Sequence, residues 1–178
     1  EVDEGRLSSH FDHKNVFSTL QTRLAQLVDD VLPIGSYVLS KTLKRAEDYK
    51  NDAHPHLHVV RLKEKRVPGS GNRCGDRVEF FYREKDTAER KRPKSADKLS
   101  MRAEDPEYAV ANGIRPDRET YLKAVRSAVE SVMSVFDQDK VKQLFDAALA
   151  SVKMQTEQKW MKESGQTSIM SFLSKRGG

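Results

Sequence analysis

Three short runs with strand character lie mid-chain, between segments whose apolar residues recur at helical spacing. That order restricts the fold more than any other feature. The runs are Tyr37–Lys41, His56–Leu62 and Asp76–Tyr82. β-Branched and aromatic residues, bounded by Gly, Pro and Asp clusters, predict strands at all three. Lys44–Lys50 reads as a basic turn. Lys63–Gly75, punctuated by Pro and Gly, reads as a flexible hairpin connection. Arg83–Lys98 is almost wholly charged and is expected to be an exposed, mobile loop.

The flanks carry a different period. Phe17, Leu20, Leu24, Leu27, Val28, Val31 and Leu32 fall on one helical face, with Asp12 or Asn15 as cap and Pro33 and Gly35 as stop. After the strand region, Tyr108–Asn112 reads as a short helix ended by Gly113. Asp117 caps the next helix, whose stripe is Tyr121, Leu122, Val125, Val129, Val132, Met133 and Phe136. Asp137–Asp139 breaks that stripe and opens a last helix through Val141, Leu144, Phe145, Ala148, Leu149 and Val152, fraying near Trp160. Apolar faces of this kind are core-facing. The fold class is therefore α+β: a small antiparallel β region flanked by helices, then a C-terminal helix and a flexible tail.

Charge is concentrated in the middle. Tyr37–Lys98 holds 17 basic and 10 acidic residues, a net of +7, whereas the whole chain carries +5. The rest is thus slightly acidic, and the basic centre suits a polyanion. Lys41, Lys44, Arg45, Arg61, Lys63, Lys65, Arg66 and Arg77 are the candidates to neutralise phosphates, with Ser40 and backbone N–H groups positioning a duplex. The alternative is an ordinary solvated face.

Other chemistries find less support. His54, His56 and His58 alternate, but further ligands are not evident around them. No CxxC or HExxH spacing occurs, so hydrogen-bonded or DNA-facing histidines, His56 among them, are favoured over zinc. Cys74 is the only cysteine. It sits in a glycine loop without a neighbouring base and fits a reducing, intracellular setting. Glu104-Asp105-Pro106 reads as a turn or helix start rather than a catalytic carboxylate pair. There is no P-loop spacing, no run near the ~18 apolar residues of a membrane span, and no recognisable leader. The chain opens at Glu1 without an initiator Met, as expected for part of a longer polypeptide.

The order of short motifs narrows this further. Tyr37-Val-Leu-Ser-Lys-Thr-Leu43 resembles the (L/Y)VITK(x)L strand that opens the thumb of family B DNA polymerases. Pro55-His56 with Val59 and Arg61 resembles that family's PHVxVAxR segment, and Gly75-Asp-Arg-Val78 its GDRVxY strand. Ala103-Glu-Asp-Pro-Glu-Tyr108 is similar to its (K/A)xEDPxY element. Asp117, Tyr121, Leu122 and Phe136 are similar to its IDxxYYL…IF helix. The series keeps the family's order over Ile34–Asp137. Delta-type replicative enzymes and those of large DNA viruses are the nearest. The family's proline after Tyr121 is missing, as are the cysteine clusters of the eukaryotic delta type, which favours a viral member.

The resemblance implies that 1–33 is a helix entering the thumb, 34–137 the duplex-binding thumb, 138–163 a helical extension and 164–178 a flexible tail. Ser40 and Lys41 match the family's threonine–lysine pair that reaches the primer backbone, and Arg61 and Arg77 match further basic thumb positions. The palm's DTDS carboxylates and the fingers' lysine–tyrosine helix do not occur in these residues. The parent would be a DNA-directed DNA polymerase with Mg2+ in its palm, and this segment would need no cofactor and have no activity alone. Its partners would be primer–template duplex, the rest of the polymerase and a sliding clamp, in a nucleus or viral replication compartment. The clamp is suggested by Gln166-Thr-Ser-Ile-Met-Ser-Phe-Leu173, which matches the PIP-box pattern Qxx[ILM]xx[FY][FLY]. On a 3₁₀ turn Ile169, Phe172 and Leu173 converge into an apolar plug, with Gln166 as polar anchor and Lys175 and Arg176 adding attraction. The bland alternative is a tail with chance hydrophobes. A different class, a stand-alone DNA-binding or clamp-associated adaptor, fits the same charge pattern. An RNA-binding module fits less well, because no RNP-type aromatic platform is visible.

Overall fold

The computed structural model describes residues 13–91, 93, 98–133 and 137–164. In chain order the elements are α1 (His13–Val28), β1 (Leu39–Thr42), α2 (Pro55–Arg66), β2 (Arg77–Tyr82), α3 (Thr87–Arg90), β3 (Ala103–Glu104), α4 (Pro106–Asn112), α5 (Arg118–Met133) and α6 (Gln138–Glu163). Short 3₁₀ turns at Ile34–Tyr37, Ala46–Asp48 and Leu99–Arg102 link them. The three strands form one antiparallel sheet in the order β1-β2-β3. This is the α+β arrangement expected from the alternating periods.

The second expected strand is a helix. His56–Leu62 lies inside α2, and the third strand of the sheet is instead Ala103–Glu104. Pro55 at the first helical position has its φ preset for the helix and no N–H to leave unpaired. The buried positions His56 and Val59 are three apart, a helical spacing, and Leu, Arg, Lys and Glu fill the following turns. The Val59-Val60 pair misleads because tertiary burial outweighs its weak strand preference. The connection before β2 is correspondingly shorter than the expected hairpin and runs from Val67 to Asp76.

Several helix ends follow their local signals. Asp105, Asp117 and Asp137 accept N–H groups from Tyr108, Thr120 and Lys140 at the starts of α4, α5 and α6. Gly113 closes α4 in the left-handed region at φ 63°. α1 stops at Val28, four residues before the end of its apolar stripe. Asp30 turns left-handed at φ 58°, which strands Val31 on the surface. Asn15 lies within α1, while the other cap candidate, Asp12, falls outside the described residues. Within Arg83–Lys98, Asp86 and Glu89 form a capping box that starts α3, so part of that charged stretch is folded.

β2 joins two cores. Val78 and Phe80 face Leu43, Val59 and Ala103. Phe81 faces the larger cluster built by Phe17, Leu24 and Leu27 of α1, Leu122 of α5, and Val141, Phe145 and Val152 of α6. Successive side chains of a strand leave opposite faces, so Phe80 and Phe81 commit the strand to both cores at once.

The two cores are tied by Tyr121 on α5. Its hydroxyl accepts the Tyr82 N–H at 2.9 Å and donates to the Tyr37 carbonyl at 2.8 Å. Burial pushes this phenol up to about 12. Tyr121→Phe leaves both backbone groups unpaired, and chemical denaturation should show a loss of about 2 kcal/mol. Tyr108→Phe, on a ring 37% exposed, should be near neutral in the same measurement. In the unfolded chain the Tyr121 phenol ionises near the ordinary ~10. The unfolded state therefore loses its proton first, and folding stability should fall as pH rises from 10 towards 12. Absorbance titration at 295 nm should show one phenol ionising near 12 that disappears in Tyr121→Phe.

Candidate nucleic-acid interface

β1 is an edge strand, and it carries the first group of basic candidates. Ser40 pairs across to Glu79, Lys41 to Val78 and Thr42 to Arg77. Alternation puts Ser40, Thr42, Arg77 and Glu79 on one face and Lys41 on the face that packs towards α2. Ser40 Oγ accepts a hydrogen bond from Arg77 Nη2, which fixes the guanidinium on the open face. Lys41, Lys44, Arg45 and Arg77 are all exposed. Arg45 makes only a loose, solvent-exposed contact with Glu47 at 3.8 Å, worth little in water.

The α2 candidates divide differently. Arg66 makes a two-pronged bond to Glu104, both contacts at 2.7 Å, and lies 3.4 Å over the centre of the Tyr108 ring. Glu104 is 3% exposed and also accepts the Asp105 N–H. A buried carboxylate left without such a partner is costly, and the same bond raises Arg66 above its usual range. Lys63 lies 3.6 Å from Asp105. Arg61 pairs with Asp52 at 2.7 Å on the exposed side. Lys65 is exposed. Thus Arg66 and Lys63 primarily hold α2 to the β3–α4 junction, whereas Lys65 and the β1–β2 group face outward.

His56 sits in the first turn of α2 and is 3% exposed, with Nε2 at 2.8 Å from the Tyr49 hydroxyl. Burial, then the nearby His54 and Lys41, keep its pKa below the usual imidazole range. The Tyr49 hydroxyl also accepts the Lys44 N–H at 2.8 Å. Around this network lies a cleft of about 540 Å³ lined by Lys41, Lys44, Asp48, Lys50, His54 and His56, among others. Charge counting along the chain misses this assembly, because the Ala46–Asp48 turn and α2 bring it together. The Pro55 helix-start signal was the available clue.

The His54 and His56 rings are 5.7 Å apart. Among the described residues no three His, Cys, Asp or Glu side chains gather as a metal site. Cys74 is exposed on the loop before β2. The clamp-peptide residues Gln166, Ile169, Phe172 and Leu173 lie outside the described residues, as does Phe136 of the expected α5 stripe.

Comparison with known proteins supports the family that the motifs resemble. The family model for DNA polymerase family B matches residues 6–136. A curated relative described as "DNA polymerase", from Paramecium bursaria Chlorella virus NY2A, is 34% identical over 115 residues, which cover 64% of this chain. The matched part is 11% of that relative's length, so the chain corresponds to a small portion of it. With the greater part of its residues inside the family model, the chain belongs to DNA polymerase family B.

Proposed function

We propose that this chain is the thumb portion of a replicative DNA-directed DNA polymerase, and that it grips primer–template duplex through its phosphates. The observation that carries this reading is the exposed basic group on and beside the edge strand β1 and at the start of β2, in a chain of this family. Lys41, Lys44, Arg45 and Arg77 reach outward there without a strong internal ion pair, next to the unpaired backbone of an edge strand. Phosphate contacts of that kind hold a duplex without reading its sequence. That suits a polymerase, which must slide over every sequence it copies. Lys65 and Arg61 extend the same surface along α2. Arg66 and His56 enter as supports: one pins α2 to Glu104, and the other sets the turn that carries Lys44.

Nucleotidyl transfer itself belongs to the parent polypeptide. The DTDS carboxylates that hold Mg2+ in the palm are not among these 178 residues, so the segment is a binding module without polymerase activity of its own. The C-terminal peptide Gln166–Leu173 is its tether to a sliding clamp, with Ile169, Phe172 and Leu173 as the plug. Leu173 at the second aromatic position weakens the plug, and an affinity in the micromolar range, about −8 kcal/mol, is expected. Tethering on the same DNA offsets that through effective concentration.

Two experiments test these parts separately. Fluorescence anisotropy of the chain with duplexes of unrelated sequence should give matching affinities and a log–log salt slope of about −0.9 per phosphate contact. Arg77→Ala should weaken binding equally for all duplexes and make the slope shallower by about one contact. Salt-independent binding, or marked preference for one sequence, contradicts the grip. Calorimetry of the Ser164–Gly178 peptide against the cognate clamp should show micromolar binding, lost in a Phe172→Ala, Leu173→Ala peptide. Equal behaviour of the two peptides removes the clamp from the function.

A further inference from the structure

The connection from α2 to β2 is rich in glycine, yet one side chain folds it. The Glu64 carboxylate, in the last turn of α2, accepts the Gly69 N–H at 2.8 Å through Oε1 and the Gly71 N–H at 3.0 Å through Oε2. Ser70 Oγ donates to the Lys63 carbonyl at 2.9 Å, and the Ser70 N–H to the Val67 carbonyl at 3.0 Å. The chain is thus folded back onto the helix it has just left. Position 71 has no room for a side chain there, since a Cβ would stand 2.9 Å from Glu64 Oε2. The amides of Gly69 and Gly71 hold the Glu64 carboxyl below its usual range. Hydrogen bonds to an ionised acceptor are stronger than neutral ones, and a glycine-rich run is otherwise costly to order.

The far end of the connection is fixed separately. The Arg73 N–H donates to Asp76 Oδ2 at 2.7 Å, and the Asp76 N–H to the Arg73 carbonyl at 3.0 Å. The Gly75 N–H donates to the Leu43 carbonyl and the Leu43 N–H to the Asp76 carbonyl, both at 2.8 Å, which ties this second turn to the chain just after β1. Only Asn72 separates the turn held by Glu64 from the turn that starts at Arg73. Arg73 is exposed, and its turn leads directly into Arg77, opposite Thr42. We propose that Glu64 is a positioning residue of the duplex face: by holding Gly69 and Gly71 it fixes where the Arg73 guanidinium is offered, at the Thr42 end of the β1 edge. An acidic residue then strengthens the hold on a polyanion, the reverse of its Coulombic effect. The inference rests on the duplex-grip reading and adds to it a residue of the opposite charge.

Two variants of the full chain release the turn in different ways. Glu64→Gln removes the charge, whereas Gly71→Ala pushes the carboxylate aside and leaves the net charge unchanged. In both, amide hydrogen exchange at Gly69 and Gly71, read by NMR, should speed up about tenfold, as loss of a charge-assisted hydrogen bond predicts. The Val59 amide in α2 should stay protected. Fluorescence anisotropy should then show both variants holding a duplex more weakly than the unaltered chain, although Glu64→Gln is the more basic protein. Arg73→Ala should make the log–log salt slope shallower by about 0.9 in the unaltered chain, and should cost much less when added to Gly71→Ala. Charge alone predicts tighter binding by Glu64→Gln and no change in Gly71→Ala. That result overturns the role of Glu64 and leaves the grip standing. An Arg73→Ala effect of equal size in both backgrounds, or unchanged exchange in both variants, overturns it as well. An unaltered chain that binds no duplex overturns the grip reading and this role together.

Discussion

The fold depends on one hydroxyl. Tyr121 reaches from α5 to the Tyr82 N–H and the Tyr37 carbonyl, partners 39 and 84 residues away in sequence. The Tyr37 and Tyr121 rings meet edge-on at 5.0 Å between centroids, a favoured aromatic geometry. A 3₁₀ turn, a central strand and a helix are thereby locked at one point. The strand is the one whose Phe80 and Phe81 enter separate cores. Either core without the other would leave β2 half exposed, so the sheet and the helical bundle are expected to form cooperatively.

Buried charge shapes the rest. Arg66–Glu104 and Arg102–Asp117 are largely removed from solvent, and Arg118 is 7% exposed, donating to the Val28 carbonyl and to Gln155. Such groups are costly to bury and more costly to leave alone. Their geometry fixes how α1, α5 and α6 meet the sheet. Basic residues in this chain therefore serve two purposes that a charge count cannot separate. Those aimed inward orient elements, and those along the β1 edge remain available to a polyanion.

Much of this was legible in the sequence. The helices α1, α5 and α6 and the aspartates that cap α4, α5 and α6 follow local signals, although Val125 and Val132 of the α5 stripe are exposed rather than core-facing. The family's motif order was legible too, because it needs only short strings in sequence. What failed was non-local. His56–Leu62 has strand-like composition, but Val59 is completely buried between sheet and helix, and that burial decided for α2. β3 is two residues long and exists only because β2 offers it a ladder. The partners of Arg66 and His56, and the cleft around His56, arise from residues that the fold alone brings close. Charge density along the chain does not say which basic side chains face outward and which, like Arg66, turn inward to a carboxylate.

α6 has 26 residues, so it runs about 39 Å. Its last turns are not free: Lys159 pairs with Glu84, just beyond β2, at 2.7 Å. The C-terminal end of α6 thus lies on the side of Glu84, at the opposite end of the helix from Gln138. That end acts as a fixed mooring. The reach of any following segment is measured from it, at roughly 3.5 Å per extended residue. A shift of α6 by one helical turn would move the mooring by about 5.4 Å, more than adding one residue to the line. The working radius of any peptide attached there would therefore be set as much by helix docking as by its own length.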